Sequence, residues 1–289
     1  MENNIKNQPI IIIGMHRSGT SMLTRFIEKS GVFIGKEKGA NDEAFFFRDI
    51  NDWILYEAGA TWDNGYNMKF MNSYFIEHVS NVINKRLSSI WITKYFGAVQ
   101  AIKCKSLYNY KNKWGWKDPR STLTLKIWKE IFPDAKIVHI YRNPIDIAAS
   151  LRKREYEIEE GYRPTVKKKY FQYFLRKKPI FYQSSRIHNI EEGVKLWEEY
   201  VSLALDANKL FNNVIHIKYE EFLSSPNLIL KELSTFLNLD INKALCKSIV
   251  NEMDCSRSYA FLNDTELTEL YIKVKESNLI KRLGYDNLL

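Results

Sequence analysis

The sequence predicts an α/β fold, a parallel sheet flanked by helices. Three observations predict it. Short apolar runs of strand type alternate with segments of helical period, the pattern of a sheet whose crossovers are helices. The first run passes directly into a glycine-bracketed loop and then a helix. The composition, 45% hydrophobic and 14% aromatic over 289 residues, suffices for a large buried core and argues against global disorder.

The elements follow in order. Residues 10–13, four isoleucines, form the first strand. Its helix carries Met22, Leu23, Phe26 and Ile27 on one face and stops at Gly31, a good C-terminal cap. A loop is expected over 33–48, a helix over 49–58, and another over 73–95 with a stripe of Phe75, Val79, Val82, Ile83 and Leu87. Residues 114–117 read as a short strand ended by Pro119, and 122–131 as a helix with Leu123, Ile127, Trp128 and Ile131 inward. Residues 136–141 are the clearest second strand. Asn143-Pro144 then supplies an N-cap and a first-turn proline for a helix to Arg154. A long helix is expected over 190–211 and a strand over 214–218, with the remainder mostly helical. No linker signal is strong enough to divide the chain, which reads as a single domain over 1–289 with a basic and aromatic insertion at about 155–189.

The first loop, Gly14-Met-His16-Arg17-Ser18-Gly19-Thr20-Ser21, has the spacing G-x-x-x-x-G-T-S of a phosphate-cradling loop. Its glycines let successive N–H groups converge on one anion, and the following helix adds the positive end of its dipole. Thr20 stands where a nucleotide triphosphatase carries lysine, so the point charge on β- and γ-phosphates is missing. Arg17 supplies a cation from elsewhere in the loop. The second corner, Tyr141-Arg142-Asn-Pro-Ile-Asp-Ile-Ala-Ala-Ser150, places Arg142 at the carboxyl end of a strand, where open parallel sheets bind ligands. Ser150 returns two helical turns on to the side of that helix's entry. An arginine fork and a hydroxyl there suit a second, separate phosphate. No expected strand ends in the aspartate that would hold magnesium in a phosphoryl-transfer enzyme of this loop type. A metal-free site for two separated phosphates is the simpler inference.

The two corners together resemble a known family. Gly14 to Ser21 is similar to the 5′-phosphosulfate loop of sulfotransferases that use 3′-phosphoadenylyl sulfate, and Tyr141 to Arg154 to their 3′-phosphate motif. Trp114-Gly-Trp-Lys117-Asp118-Pro119-Arg120 resembles the Lys-Asp-Pro element of the bacterial and tyrosylprotein branches. Leu196-Trp-Glu-Glu-Tyr200 and Lys218-Tyr-Glu-Glu-Phe-Leu-Ser-Ser-Pro226 resemble later landmarks of the bacterial branch. The resemblance runs from about residue 9 to about 240. It implies the P-loop-containing nucleoside triphosphate hydrolase-like fold in its sulfotransferase form. It further implies a donor, 3′-phosphoadenylyl sulfate, whose 5′-phosphosulfate is held by the N–H groups of residues 17–21, with His16 a structural or donor-contacting side chain, and whose 3′-phosphate lies on Arg142 and Ser150. Arg17 would neutralise the bridging oxygen as the sulfuryl group departs, Lys117 would lie near the same group, and no metal is needed.

An acceptor hydroxyl also needs a base. Glu43 is the first candidate, with Asp42 and Glu37 behind it and His16 as an alternative. The family often shows Phe-Glu just before the next helix, where this chain has Phe46-Phe47. Asp118 is expected to orient Lys117 or Arg120, and Trp53, Trp62 and the turn 62–64 are candidates to line an acceptor cleft. The bland reading of each is a solvated loop charge or a core aromatic.

Composition bounds the rest. Cys104, Cys246 and Cys255 are odd in number and irregularly spaced, which suits reduced thiols of a cytoplasmic protein. The five histidines offer no metal-ligand spacing, and no stretch has the length of a membrane span. Of the net charge of +9, nearly all is matched by residues 161–190, where eight cations stand among aromatics with no acid. That segment reads as a lid over an acidic or phosphorylated glycan acceptor or as a solvated structural element. Nucleic acid, whose bases stack on aromatics, is not expected without an accompanying motif. The expected activity is sulfuryl transfer to a hydroxyl of a carbohydrate or glycolipid. The alternatives are a P-loop kinase and a nucleotide- or nucleic-acid-binding module without chemistry.

Overall fold

A computed structural model describes residues 8–161, 166, 170, 184–241 and 243–289. The chain divides into two compact units, Met1–Arg142 with Tyr200–Ser258, and Asn143–Glu199 with Tyr259–Leu289.

The first unit is built on a four-stranded parallel sheet: β1 (Ile10–Ile13), β2 (Gly115–Lys117), β3 (Lys136–Tyr141) and β4 (Asn213–Lys218), in the order β2-β1-β3-β4. Alternation assigns the faces. Ile10, Ile12, Val138, Ile140, Ile215 and Ile217 share one core cluster with Leu23 and Phe26 of α1 (Thr20–Lys29) and with Leu230 and Leu233 of a helix over Pro226–Leu237. On the other face Trp116 stacks on Phe47 of α2 (Phe45–Glu57), with ring centroids 3.9 Å apart, and packs against Trp128 of the helix Leu125–Ile131. Here α3 is Ser73–Leu87, α4 Thr93–Phe96, α5 Ala98–Cys104 and α6 Leu125–Ile131. A sheet covered on both faces explains why its strands read as continuous apolar runs.

The strands lie within a residue of their expected positions; the helix limits differ more. α2 begins at Phe45, four residues before the expected start, because Phe46 and Phe47 are both fully buried. The helix expected over 73–95 ends at Leu87, where Ser88 and Ser89 interrupt it and the Ser89 side chain caps a new 3-10 turn. A further short helix, α5, was not expected at all.

The second unit is helical among its described residues. α7 (Pro144–Gly161) starts on Asn143, whose Oδ1 accepts from the N–H groups of Ile145 and Asp146 at 2.9 and 3.2 Å. Ile145 and Ala148 share a small core with Val194 of α8 (Ile190–Leu205), Phe261, and Leu267, Leu270 and Tyr271 of the helix Thr265–Val274. Asp146 accepts from the Phe261 N–H at 2.9 Å. Of the expected insertion at 155–189, residues 155–161 continue α7 and most of the rest lies outside the described residues.

Candidate functional site

The order β2-β1-β3-β4 means that the chain leaves β1 toward β2 on one side and β3 toward β4 on the other. The carboxyl ends of β1 and β3 therefore flank a topological switch point, the place where open parallel sheets bind ligands. The Gly14 loop leaves one of these ends and Arg142 the other. They are close: a Cβ on Gly14 would lie 2.3 Å from the Ile140 carbonyl oxygen, which bars any side chain there.

The loop's backbone is shaped for an anion. Gly14 and Gly19 have φ of 143° and 95°, and Arg17 takes the left-handed region at φ 72°, a conformation costing a non-glycine residue about 1–2 kcal/mol. Left-handed residues between ordinary ones turn consecutive N–H groups toward one point. α1 then starts on Gly19 with no side-chain cap and no acid in its first turn, so its N-terminal amides and dipole favour a bound anion. Two hydroxyls hold this shape rather than face outward. Ser18, fully buried, donates to the Met15 carbonyl at 2.7 Å, and Ser21 donates to the Asn41 carbonyl at 2.8 Å. Thr20 is buried, Arg17 is exposed, and His16 is half-buried edge-on to Trp62, ring centroids 4.9 Å apart. Trp62 is in turn held by the Tyr200 hydroxyl, which donates to its carbonyl at 2.6 Å.

Lys117 and Glu43, 74 residues apart, meet at this end of the sheet. Lys117 closes β2, is 1% exposed, and its Nζ stands 3.4 Å from Glu43 Oε1. Burial pulls the lysine pKa below its ordinary value, with Glu43 and Asp118 opposing. Glu43 is buried just before α2, whereas Glu37 is exposed and Asp42 half-buried.

Asp118 accepts its hydrogen bonds from Asn51 and Arg120. It caps the 3-10 turn Pro119–Thr122, accepting at Oδ1 from the Arg120 backbone at 3.1 Å and from Arg120 Nη1 at 2.9 Å. Burial works against the Arg120 charge, yet Asp118, Asp52 and Glu43 outweigh it and hold that pKa above its ordinary value. Asp118 Oδ2 accepts from Asn51 Nδ2 at 2.8 Å. Asn51 also donates to Ser121 at 2.9 Å and accepts from Thr124 and from the Trp128 indole at 2.8 and 2.9 Å. This buried polar network fixes the corner that carries Lys117. Sequence reasoning missed Asn51; the available signal was a polar residue on the inward stripe of α2 between Phe47 and Leu55.

Arg142, 8% exposed, lies with its guanidinium 4.8 Å from the centroid of the Tyr219 ring and donates to the Arg257 carbonyl. Tyr219 follows β4 directly, and a Cβ on Gly19 would come within 2.5 Å of its ring. The ring thus joins the first loop to Arg142. Burial raises the Tyr219 pKa, against the influence of Arg142 and Arg257. Tyr219 was also missed, although it sits at a strand's carboxyl end as Arg142 does. Ser150 lies on α7 of the second unit. Trp53 is half-buried on α2. Among the described residues, no group of three or more His, Cys, Asp or Glu is placed to hold a metal, and no helix is long and apolar enough to cross a membrane.

Comparison with known proteins adds a family. Solved structures similar to the chain include a sulfotransferase from Alicyclobacillus acidocaldarius, at 18% identity, 92% of this chain, 96% of that one and a TM-score of 0.45. The sulfotransferase domain of the Synechococcus PCC 7002 olefin synthase follows at 16%, 93%, 89% and 0.44. Mouse sulfotransferase SULT7A1, complexed with PAP, matches at 15%, 90%, 66% and 0.40. No curated protein sequence matches the chain. The model of the Sulfotransferase family matches residues 9–243, a span that contains both strand-end corners, Lys117 and Glu43. The chain belongs to the sulfotransferase family.

Proposed function

We propose that the protein transfers a sulfuryl group from 3′-phosphoadenylyl sulfate to a hydroxyl acceptor of a carbohydrate or glycolipid, without a metal. The observation that carries the donor assignment is the uncapped, acid-free start of α1, preceded by left-handed residues at Arg17 and Gly19, beside a second cation at Arg142. These residues fit two separate anionic groups. The loop amides of residues 17–21 hold the 5′-phosphosulfate, with His16 beside them, and Arg142 holds the 3′-phosphate; the resemblance also assigns Ser150 to the latter. The acceptor class rests on the resemblance to the bacterial branch.

When bound, the donor supplies a sulfuryl group whose departure leaves negative charge on the bridging phosphate oxygen. Arg17 neutralises that charge. Glu43 takes the proton of the acceptor hydroxyl as its oxygen bonds to sulfur and the bond from sulfur to the bridging oxygen breaks. Lys117 holds the Glu43 carboxylate until an anionic oxygen of the donor competes for the ammonium, which frees the base. Positioning and fixed charge do most of this work, as in other in-line group transfers.

Calorimetric titration tests the reading. Adenosine 3′,5′-bisphosphate is expected to bind without metal and at least tenfold more tightly than AMP, with Mg-ATP weak. Arg142→Ala is expected to erase most of the preference over AMP. Preference for Mg-ATP, or equal binding of bisphosphate and AMP, overturns the donor assignment.

A further inference from the structure

The near-neutral remainder of the chain hides a second acid-free stretch. Between residues 85 and 113 there are seven lysines and arginines and no aspartate or glutamate. In the first unit this stretch forms the end of α3, the 3-10 turn Ile90–Ile92, α4, α5 and the turn Leu107–Asn109. Its inward residues account for its attachment: Ile92, Tyr95, Phe96, Ala101, Cys104 and Leu107 are buried.

Its outward residues have no such account. Ile90 is 71% exposed, Trp91 53%, Val99 71% and Ile102 69%. Scattered apolar side chains on a surface are ordinary, but four large ones within thirteen residues, on short, successive elements, are more than scatter. Val99 and Ile102, three apart on α5, share one face of that helix. Lysines stand among and beside them in the sequence. Lys94 lies 5.6 Å from the centroid of the Trp91 ring and 3.7 Å from Asp49, while Lys85, Lys103 and Lys105 are exposed.

Outward apolar groups, a tryptophan among them, set in a rim of lysine are what an anionic bilayer surface takes up: the apolar tips enter the interface while the cations meet headgroup phosphates. The charge argues against other covers. A second copy of this face would bring like charge against like. So would residues 162–183, whose sequence is itself basic and acid-free. The high exposure of all four apolar side chains suits a plane they can dip into, rather than a peptide that must be gripped between walls. We propose that the face formed by Ile90, Trp91, Val99 and Ile102, with Lys85, Lys94, Lys103 and Lys105, binds anionic lipid membranes peripherally. The inference stands apart from the sulfuryl-transfer reading.

Vesicle flotation with the full chain tests it. The protein is expected to float with vesicles of phosphatidylcholine and phosphatidylglycerol in equal parts, not with phosphatidylcholine alone, and to be released by salt. Replacing Lys103→Gln together with Lys105→Gln is expected to weaken vesicle binding roughly thirtyfold. Trp91→Ser with Ile102→Ser is expected to remove the binding that persists at moderate salt. Circular dichroism and binding of adenosine 3′,5′-bisphosphate, unchanged in the lysine pair variant, separate this result from misfolding and from failure of the donor assignment. The proposal is overturned by equal binding to neutral and anionic vesicles, by no binding to either, or by wild-type binding in the Lys103/Lys105 variant. It is equally overturned if Lys167→Gln, Lys168→Gln and Lys169→Gln abolish flotation while the Lys103/Lys105 variant keeps it. Binding of polyglutamate with no binding to anionic vesicles would make the face a site for acidic protein instead, and would also sink the proposal.

Discussion

In the proposed transfer Arg17 and Glu43 carry opposite duties, and the difference shows in which kinetic constant each should control. Arg17 is exposed on a left-handed backbone, and in that proposal its charge matters most when the bridging oxygen becomes anionic. Arg17→Ala is therefore expected to lower kcat by about 10²–10³-fold, the usual loss for one electrostatic stabiliser, while binding of the bisphosphate changes only a few-fold. Steady-state kinetics beside calorimetry checks this; a large loss of bisphosphate affinity with turnover intact would move Arg17 into binding. Glu43 stands 3.4 Å from Lys117, and Glu43→Gln keeps the side chain's shape but removes the proposed base. Turnover should fall about 10²–10⁴-fold with donor binding preserved. An active Glu43→Gln enzyme would leave the base to another group, and Asp42, Glu37 and His16 are next in line. Of these acids Glu43 is the one that the fold buries beside Lys117. Phe47, at the position where the family often carries glutamate, stacks on Trp116 beneath the sheet.

At the scale of elements, the turn that follows β2 depends on a residue from α2. Asn51 fills four hydrogen-bonding roles at once, to Asp118, Ser121, Thr124 and Trp128, all inside the protein. Fully satisfied buried networks specify one arrangement, and removing a member leaves its partners unmatched. Asn51→Leu should cost about 3 kcal/mol of stability or more, because the Asp118 carboxylate is among the groups left short. Chemical denaturation measures it, and a change below about 1 kcal/mol would mean that water replaces the amide without loss. The same variant should lower turnover through Lys117, which sits one residue before Asp118. Helix limits were less legible than strand limits for a related reason. The strands 10–13 and 136–141 announce themselves by runs of branched residues, whereas the start of α2 at Phe45 is set by what Phe46 and Phe47 pack against.

Across the whole chain, acid should act first on a histidine pair in the sheet of the first unit. His139 on β3 is fully buried, and its Nδ1 lies 2.9 Å from Nδ1 of His216 on β4; Asn208 contacts the other nitrogen of His216 at 2.8 Å, and the Tyr141 ring lies beside His139. One of the facing nitrogens has to accept, so both cannot carry a proton. Burial, and then the neighbouring His216, hold the His139 pKa well below its ordinary value. The unfolded chain therefore binds a proton that the native chain refuses. Stability is unaffected by this group above about pH 6.5 and declines as pH falls below it, by about 1.4 kcal/mol per pH unit at most, until the native pKa is reached. Denaturation midpoints of wild type and His139→Asn, compared from pH 7.5 to 5, should converge as pH falls. Parallel curves would remove the pair from the acid response.

The sequence alone determined the parallel α/β class, the two strand-end corners and the family. Each is written in contiguous residues: a strand, a glycine loop and a helix start are local patterns whose physics needs no partner. Tertiary structure decided what meets across the chain. It set Glu43 against Lys117, laid the Tyr219 ring between Gly19 and Arg142, closed the Asn51 network on Asp118, and turned Ile90, Trp91, Val99 and Ile102 outward. The reason is that an apolar side chain reads the same whether it is covered or bare, and a carboxylate the same whether solvated or paired. Only packing removes water from one side of a residue, and that removal is what distinguishes a buried, paired carboxylate from a loop charge and an exposed apolar side chain from a core.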